Sequence, residues 1–150
     1  MLGLLLTTVI LVAITVAIHA VGTTYWMQYL GRRYFGSDGQ VKAREALPAV
    51  TWTAVAFLML HLLEVVVWAI AYRLILPGAH LETFEKAVYF SIVTFTTLGY
   101  GDVTLVNHEW RLLSGVEALN GILLVGWTTA LLFLVVQRSW SSLSGGHKGK

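Results

Sequence analysis

Residues 94–102 read Thr94-Phe95-Thr96-Thr97-Leu98-Gly99-Tyr100-Gly101-Asp102. Two glycines flank a tyrosine, directly after an apolar, Thr-rich stretch over residues 88–97. Gly99 and Gly101 can take positive φ values that other residues resist. Alternating handedness turns successive carbonyls toward one side of the strand. Around a fourfold axis those carbonyls form stacked oxygen rings, which can replace the water shell of a dehydrated cation. A hard monovalent cation wants oxygen, and backbone carbonyls supply it without net charge. Thr97 can add its hydroxyl as a further ring at the inner end. Leu98 and Tyr100 are expected to point away from the axis and wedge the strand against its surroundings. Asp102 is expected at the outer mouth, attracting cations.

Such a loop belongs in a membrane, and the composition agrees. The chain has 150 residues, 57% hydrophobic and only 12% charged, with a mean hydropathy of +0.72. A soluble domain carries about a quarter charged residues, so an ordinary soluble globule and a disordered chain are both excluded. Cys is absent, which excludes disulfides and thiol chemistry. A net charge of +2 is too small to argue for nucleic acid.

Crossing a bilayer takes roughly 20 apolar helical residues. Residues 2–21 form one such run and carry no charge. Residues 49–76 form a second, interrupted by Glu64 before Arg73, and residues 112–136 a third, interrupted by Glu117. The stretch over 88–97 is too short to span and lies between two spans, as a re-entrant segment does. Irregular backbone at that depth survives only against protein or a water-filled cavity. Arg32, Arg33, Lys42 and Arg44 follow the first run and no basic residue precedes it. This argues against a cleaved leader and places that loop inside, with the N-terminus outside and the C-terminus cytoplasmic. The segment between the second and third runs is mildly acidic (Glu82, Glu85, Asp102 and Glu109 against Lys86) and falls outside. Trp52, Trp68, Tyr72, Trp110 and Trp140 sit near expected span ends, where amphipathic rings prefer headgroup depth.

Tyr25, Trp26, Tyr29 and Leu30 recur at helical spacing, so the first helix can extend or lie along the inner interface. Gly36, Ser37, Asp38 and Gly39 form a turn cluster, and Pro48 suits the first turn of the next helix. The basic Ser/Gly-rich end, with Arg138, Lys148 and Lys150, reads as a tail.

Thr97-Leu98-Gly99-Tyr100-Gly101-Asp102 resembles the selectivity-filter signature of the potassium channel family, whose usual core is Thr-Val-Gly-Tyr-Gly. Leu98 stands where Val is more frequent. The resemblance spans about residues 49–137. Outside it, hydropathy and charge give an extra transmembrane helix (1–30) and a cytoplasmic linker (31–48); the resemblance itself implies an all-α membrane protein with a pore domain. That domain comprises an outer helix (49–76), a re-entrant pore helix (83–96), a filter (97–102) and an inner helix (111–137), followed by a tail (138–150). Thr83 is the expected N-cap of the pore helix, with Glu85 in its first turn. The resemblance further implies a homotetramer in the cytoplasmic membrane, with K+ bound at Thr97, Leu98, Gly99 and Tyr100 as permeant ion and no cofactor. Gly121, twenty residues past Gly101, takes the place of a hinge glycine. In that register Ile122, Val125 and Thr129 line the cavity, and Phe133 and Gln137 lie near an inner gate. A nonselective monovalent cation channel of the same architecture is the alternative, against which Tyr100 argues.

The ionisable residues within the spans are costly and need an account. Glu64, with His61 one turn before it and His19 as a partner on the first helix, is either a proton-sensitive element or a packing contact. Glu117 is expected to bond to the pore helix or to Arg111. Asn120 touches the cavity only if the inner helix is slightly rotated. His80 and His108 fall in outer loops with no ligand spacing around them. The first run has no Arg or Lys, so it is not a voltage-sensing helix. No Ser/His/Asp arrangement, His-Glu-x-x-His motif or phosphate loop occurs, so no enzyme is expected.

Overall fold

A computed structural model of the chain describes residues 2–36, 39, 41–76, 81–105 and 110–145, with the backbone only at 43 and 142–145. Ser37, Asp38, His80, His108, Glu109, Lys148 and Lys150 lie outside the described residues, and with them their expected turn, loop and tail roles. The regular structure is helical: α1 (Leu2–Tyr34), a single 3-10 turn (Ala43–Glu45), α2 (Ala46–Ile75), α3 (Phe84–Phe95) and α4 (Arg111–Gly145). Among the described residues extended structure amounts to one isolated bridge, Phe35 to Val41. α1, α2 and α4 are long and apolar enough to cross a membrane, whereas α3 has 12 residues and is not. The all-α membrane fold with a short helix between the second and third spans is what the hydropathy pattern implied.

Helix bounds differ from expectation in three places. α1 runs to Tyr34, so Tyr25, Trp26, Tyr29 and Leu30 continue it. α2 starts at Ala46, three residues early, because Ala46 and Ala49 are buried against Leu30, Tyr34 and Val135. α4 continues to Gly145, through residues expected to form a tail. Ser139 and Ser141 turn their hydroxyls back onto the carbonyls of Val135 and Gln137, so both are satisfied within the helix while sharing acceptors its amides use.

The fold divides into two compact units, to each of which α1, α2 and α4 contribute a part. One comprises residues 1–19 and 61–125 and holds α3 and the loop that follows it. Its core gathers Leu11, Trp68, Tyr72, Phe90, Phe95, Leu113 and Leu124. Trp68 and Tyr72 are fully buried there against their own chain. Both share the buried face of α2 with Glu64, four residues apart, and the Tyr72 ring meets Phe90 edge-on at 5.1 Å. The other unit comprises residues 20–60 and 126–150. There Trp26 donates its indole N–H to Thr53 at 3.1 Å, and Arg33 approaches Glu45 at 3.6 Å in an exposed pair worth little.

Candidate functional site

α3 is built to end at one place. Thr83 caps its N-terminus: its backbone is extended and its hydroxyl accepts from the Lys86 amide at 3.2 Å. Such a cap stabilises a helix by about 1 kcal/mol. Glu85 follows in the first turn, where the helix dipole favours a carboxylate. Ala87, Phe90, Ser91, Val93 and Phe95 form the buried face. The helix then stops at Thr96, whose hydroxyl folds back to the Ile92 carbonyl at 2.7 Å.

The next six residues alternate in handedness. Thr97 has φ +59°, Gly99 +53° and Gly101 +79°. Gly99 and Gly101 adopt these values without cost. Thr97 does not: a β-branched residue with positive φ is an outlier, and such strain costs on the order of 1–3 kcal/mol. Three amides offset it. Thr97 N–H donates to the Thr94 carbonyl at 2.9 Å, and Leu98 and Gly99 both donate to the Val93 carbonyl, at 2.9 and 3.2 Å. At about 1 kcal/mol each, these bonds match the strain at Thr97. Composition points to Gly99 and Gly101 but not to Thr97, because a threonine carries no sign of positive φ. The run Thr97-Leu98-Gly99-Tyr100-Gly101 thus leaves α3 as a strand with every second residue left-handed.

Side chains brace this strand unevenly. Asp102 accepts a 2.7 Å hydrogen bond from the Tyr89 hydroxyl, reaching back to α3. That bond raises the Tyr89 phenol above the usual tyrosine range of 10. Leu98 and Tyr100, 54% and 67% exposed, do not wedge against their own chain. Behind the strand lies a cavity of about 460 Å³, lined in part by Tyr89, Val93, Gly99, Asp102 and Arg111.

α4 supports the strand from below. A Cβ at Gly121 would collide with the Phe95 carbonyl oxygen, so only glycine lets α4 come this close to the end of α3. Gly121 is therefore a packing glycine in this structure. Glu117, one turn earlier and fully buried, accepts from the Ser91 hydroxyl on α3 and from the Tyr72 hydroxyl on α2 at 2.7 Å. Arg111 instead donates to the Leu105 carbonyl at 3.4 Å. Asn120 is buried and donates to Thr15 on α1 at 2.8 Å. Ile122, Val125, Thr129 and Phe133 all lie on exposed faces of α4. Glu64 meets His19 Nδ1 at 2.7 Å and His61 Nδ1 at 2.9 Å. The sequence patterns named these three residues but not the Tyr72–Glu117–Ser91 group, because Tyr72 read as an interfacial ring.

Three spans, a re-entrant helix and a loop of alternating handedness define a pore-loop membrane protein. A family model described as "Ion channel" matches residues 60–138, more than half of the chain. The chain belongs to the ion channel family and is a multi-pass membrane protein. The family read from residues 97–102 is thereby borne out. Among curated relatives, "TWiK family of potassium channels protein 18" of Caenorhabditis elegans is 29% identical over 87 residues, 58% of this chain and 18% of that protein. "Two-pore potassium channel 4" of Arabidopsis thaliana is 30% identical over 80 residues, 51% of this chain and 28% of that protein. The matched stretch spans less than a third of either relative. No solved structure matches the chain.

Proposed function

We propose that the chain is one subunit of a potassium-selective channel. Four copies meet about a common axis, and K+ passes in single file between Thr97 and Tyr100 under its own gradient. The observation that carries this reading is the left-handed backbone at Thr97, Gly99 and Gly101 within a Thr-Leu-Gly-Tyr-Gly-Asp segment. A strand of that handedness can present consecutive carbonyls to one axis, and four such strands make the oxygen cage a dehydrated cation needs.

Exposure adds support. Leu98 and Tyr100 stand clear of their own subunit, and neighbouring copies would cover them. Ile122 at 59% and Phe133 at 65% exposed fit a wall facing the axis, with Val125 and Thr129 between them. Both relatives carry potassium channel in their names. The basic residues Arg32, Arg33, Lys42 and Arg44 favour a cytoplasmic membrane orientation with the N-terminus outside.

The test uses purified protein in liposomes. Bi-ionic reversal potentials should show K+ passing well ahead of Na+, and the mass in detergent should correspond to four chains. Gly99→Ala should abolish the flux. Nothing occupies the space beside Gly99, so the substitution acts through the backbone, which an alanine resists holding at φ +53°. Equal passage of the two ions would assign the nonselective alternative; a stable monomer without flux would remove the channel reading.

A further inference from the structure

We propose that His19, His61 and Glu64 form a binding site for a divalent transition-metal ion of the zinc type, bridging α1 to α2. Their ligating atoms lie within 4.8 Å of one another. Both imidazole Nδ1 atoms converge on one carboxylate, His19 at 2.7 Å from Oε1 and His61 at 2.9 Å from Oε2. His61 and Glu64 are three residues apart and share a face of α2. His19 comes from α1, so the site exists only when the two helices are docked.

The donor set suits the ion. Two imidazoles and a carboxylate occur in three-ligand zinc sites that keep a fourth, open position for water. In a tetrahedral site with bonds of about 2.0–2.2 Å, neighbouring donors stand roughly 3.3–3.6 Å apart. Both nitrogen–oxygen separations are shorter than that spacing and the three ligating atoms lie within 4.8 Å of one another, so shifts on the order of an ångström bring them onto one ion.

Charge points the same way. With neutral imidazoles the cluster holds one negative charge on a buried carboxylate within an apolar span, which demands a cation. α1 has no Lys or Arg before Arg32, and Arg73, the one such residue on α2, is exposed. Arg111 bonds to the Leu105 carbonyl and Lys86 approaches Glu82. The positive charge must come from a proton or a bound ion, and an ion with hydroxide in the open position leaves the site neutral. The His61 side chain is 16% exposed, while those of His19 and Glu64 are closed. The His61 ring also lies 5.8 Å from that of Phe95. An ion here would thus fasten α1 beside the residue that ends α3.

The site is read by binding, independently of conduction. Full-length protein without an affinity tag, in lipid nanodiscs, is titrated with Zn2+ by calorimetry and with Co2+ as an optical probe. The expected result is one ion per chain, the intense visible bands of tetrahedral Co2+, and at least about a tenfold loss of affinity in His61→Asn and Glu64→Gln. His61→Asn is the variant that keeps the test decisive if Glu64→Gln fails to fold, because His61 is partly exposed and its helical circular dichroism can be checked. Equal binding by wild type and a folded His61→Asn, an octahedral Co2+ spectrum, or no binding at all overturns the site and leaves a proton-shared hydrogen-bonded clamp.

Discussion

The loop at 97–102 and the buried carboxylate at Glu117 sit in the same compact unit and are stabilised in opposite ways. Glu117 has no exposed surface and is satisfied by its own chain, through Tyr72 and Ser91. The loop is exposed from Thr96 to Asp102 and is held by backbone amides on two α3 carbonyls and by one hydroxyl at its far end. The scaffold is thus closed within the chain, whereas the loop stands exposed on it. Substitutions at the scaffold should register as lost stability, and those at the loop as altered conduction with the fold intact.

The largest effect is expected at Gly121→Val. A Cβ would meet backbone, not a flexible side-chain end, and overpacking of this kind costs about 1–3 kcal/mol or more. Thermal denaturation in detergent should show a clearly lower midpoint, and an unchanged one would mean that the approach of α4 to Phe95 is not tight. Glu117→Ala comes next. It strands the buried Tyr72 hydroxyl, which costs about 1–3 kcal/mol when unsatisfied, while the Ser91 hydroxyl keeps the Val65 carbonyl at 3.1 Å. Glu117→Gln keeps the acceptor and should recover most of that loss; if it does not, charge rather than hydrogen bonding holds α3 to α4. Tyr89→Phe is the mildest. It should lower the melting midpoint only slightly and shorten sustained currents in liposomes, because only the outer end of the loop loses its brace. The Tyr89 phenol is raised in the folded state, so the stability it adds is fully present below pH 10 and is lost as pH rises through its elevated value. Wild type and variant should differ below pH 10 and converge once pH exceeds that raised value.

Much of this was legible in the chain. Hydropathy located all three spans, and the short run between them marked α3 because length alone forbids it to cross. Thr83 announced its helix start through cap chemistry. Gly99 and Gly101 announced positive φ through the missing Cβ. The rest depends on helix rotation and on neighbours, which periodicity does not encode. Tyr72 reads like any aromatic near a span end until α3 packs against it, and Asn120 reads as a cavity residue only for a rotated helix, with no sign that Thr15 takes its amide. The continuation of α4 past Gln137 was hidden because serine and arginine mark tails and helix ends equally well.

The Gly121 contact has one more consequence. With no side chain between α4 and the Phe95 carbonyl, nothing compliant separates the two. A tilt of α4 at that level is transmitted as backbone pushing on backbone, two residues ahead of Thr97, so the third span and the foot of the loop have to move as linked parts.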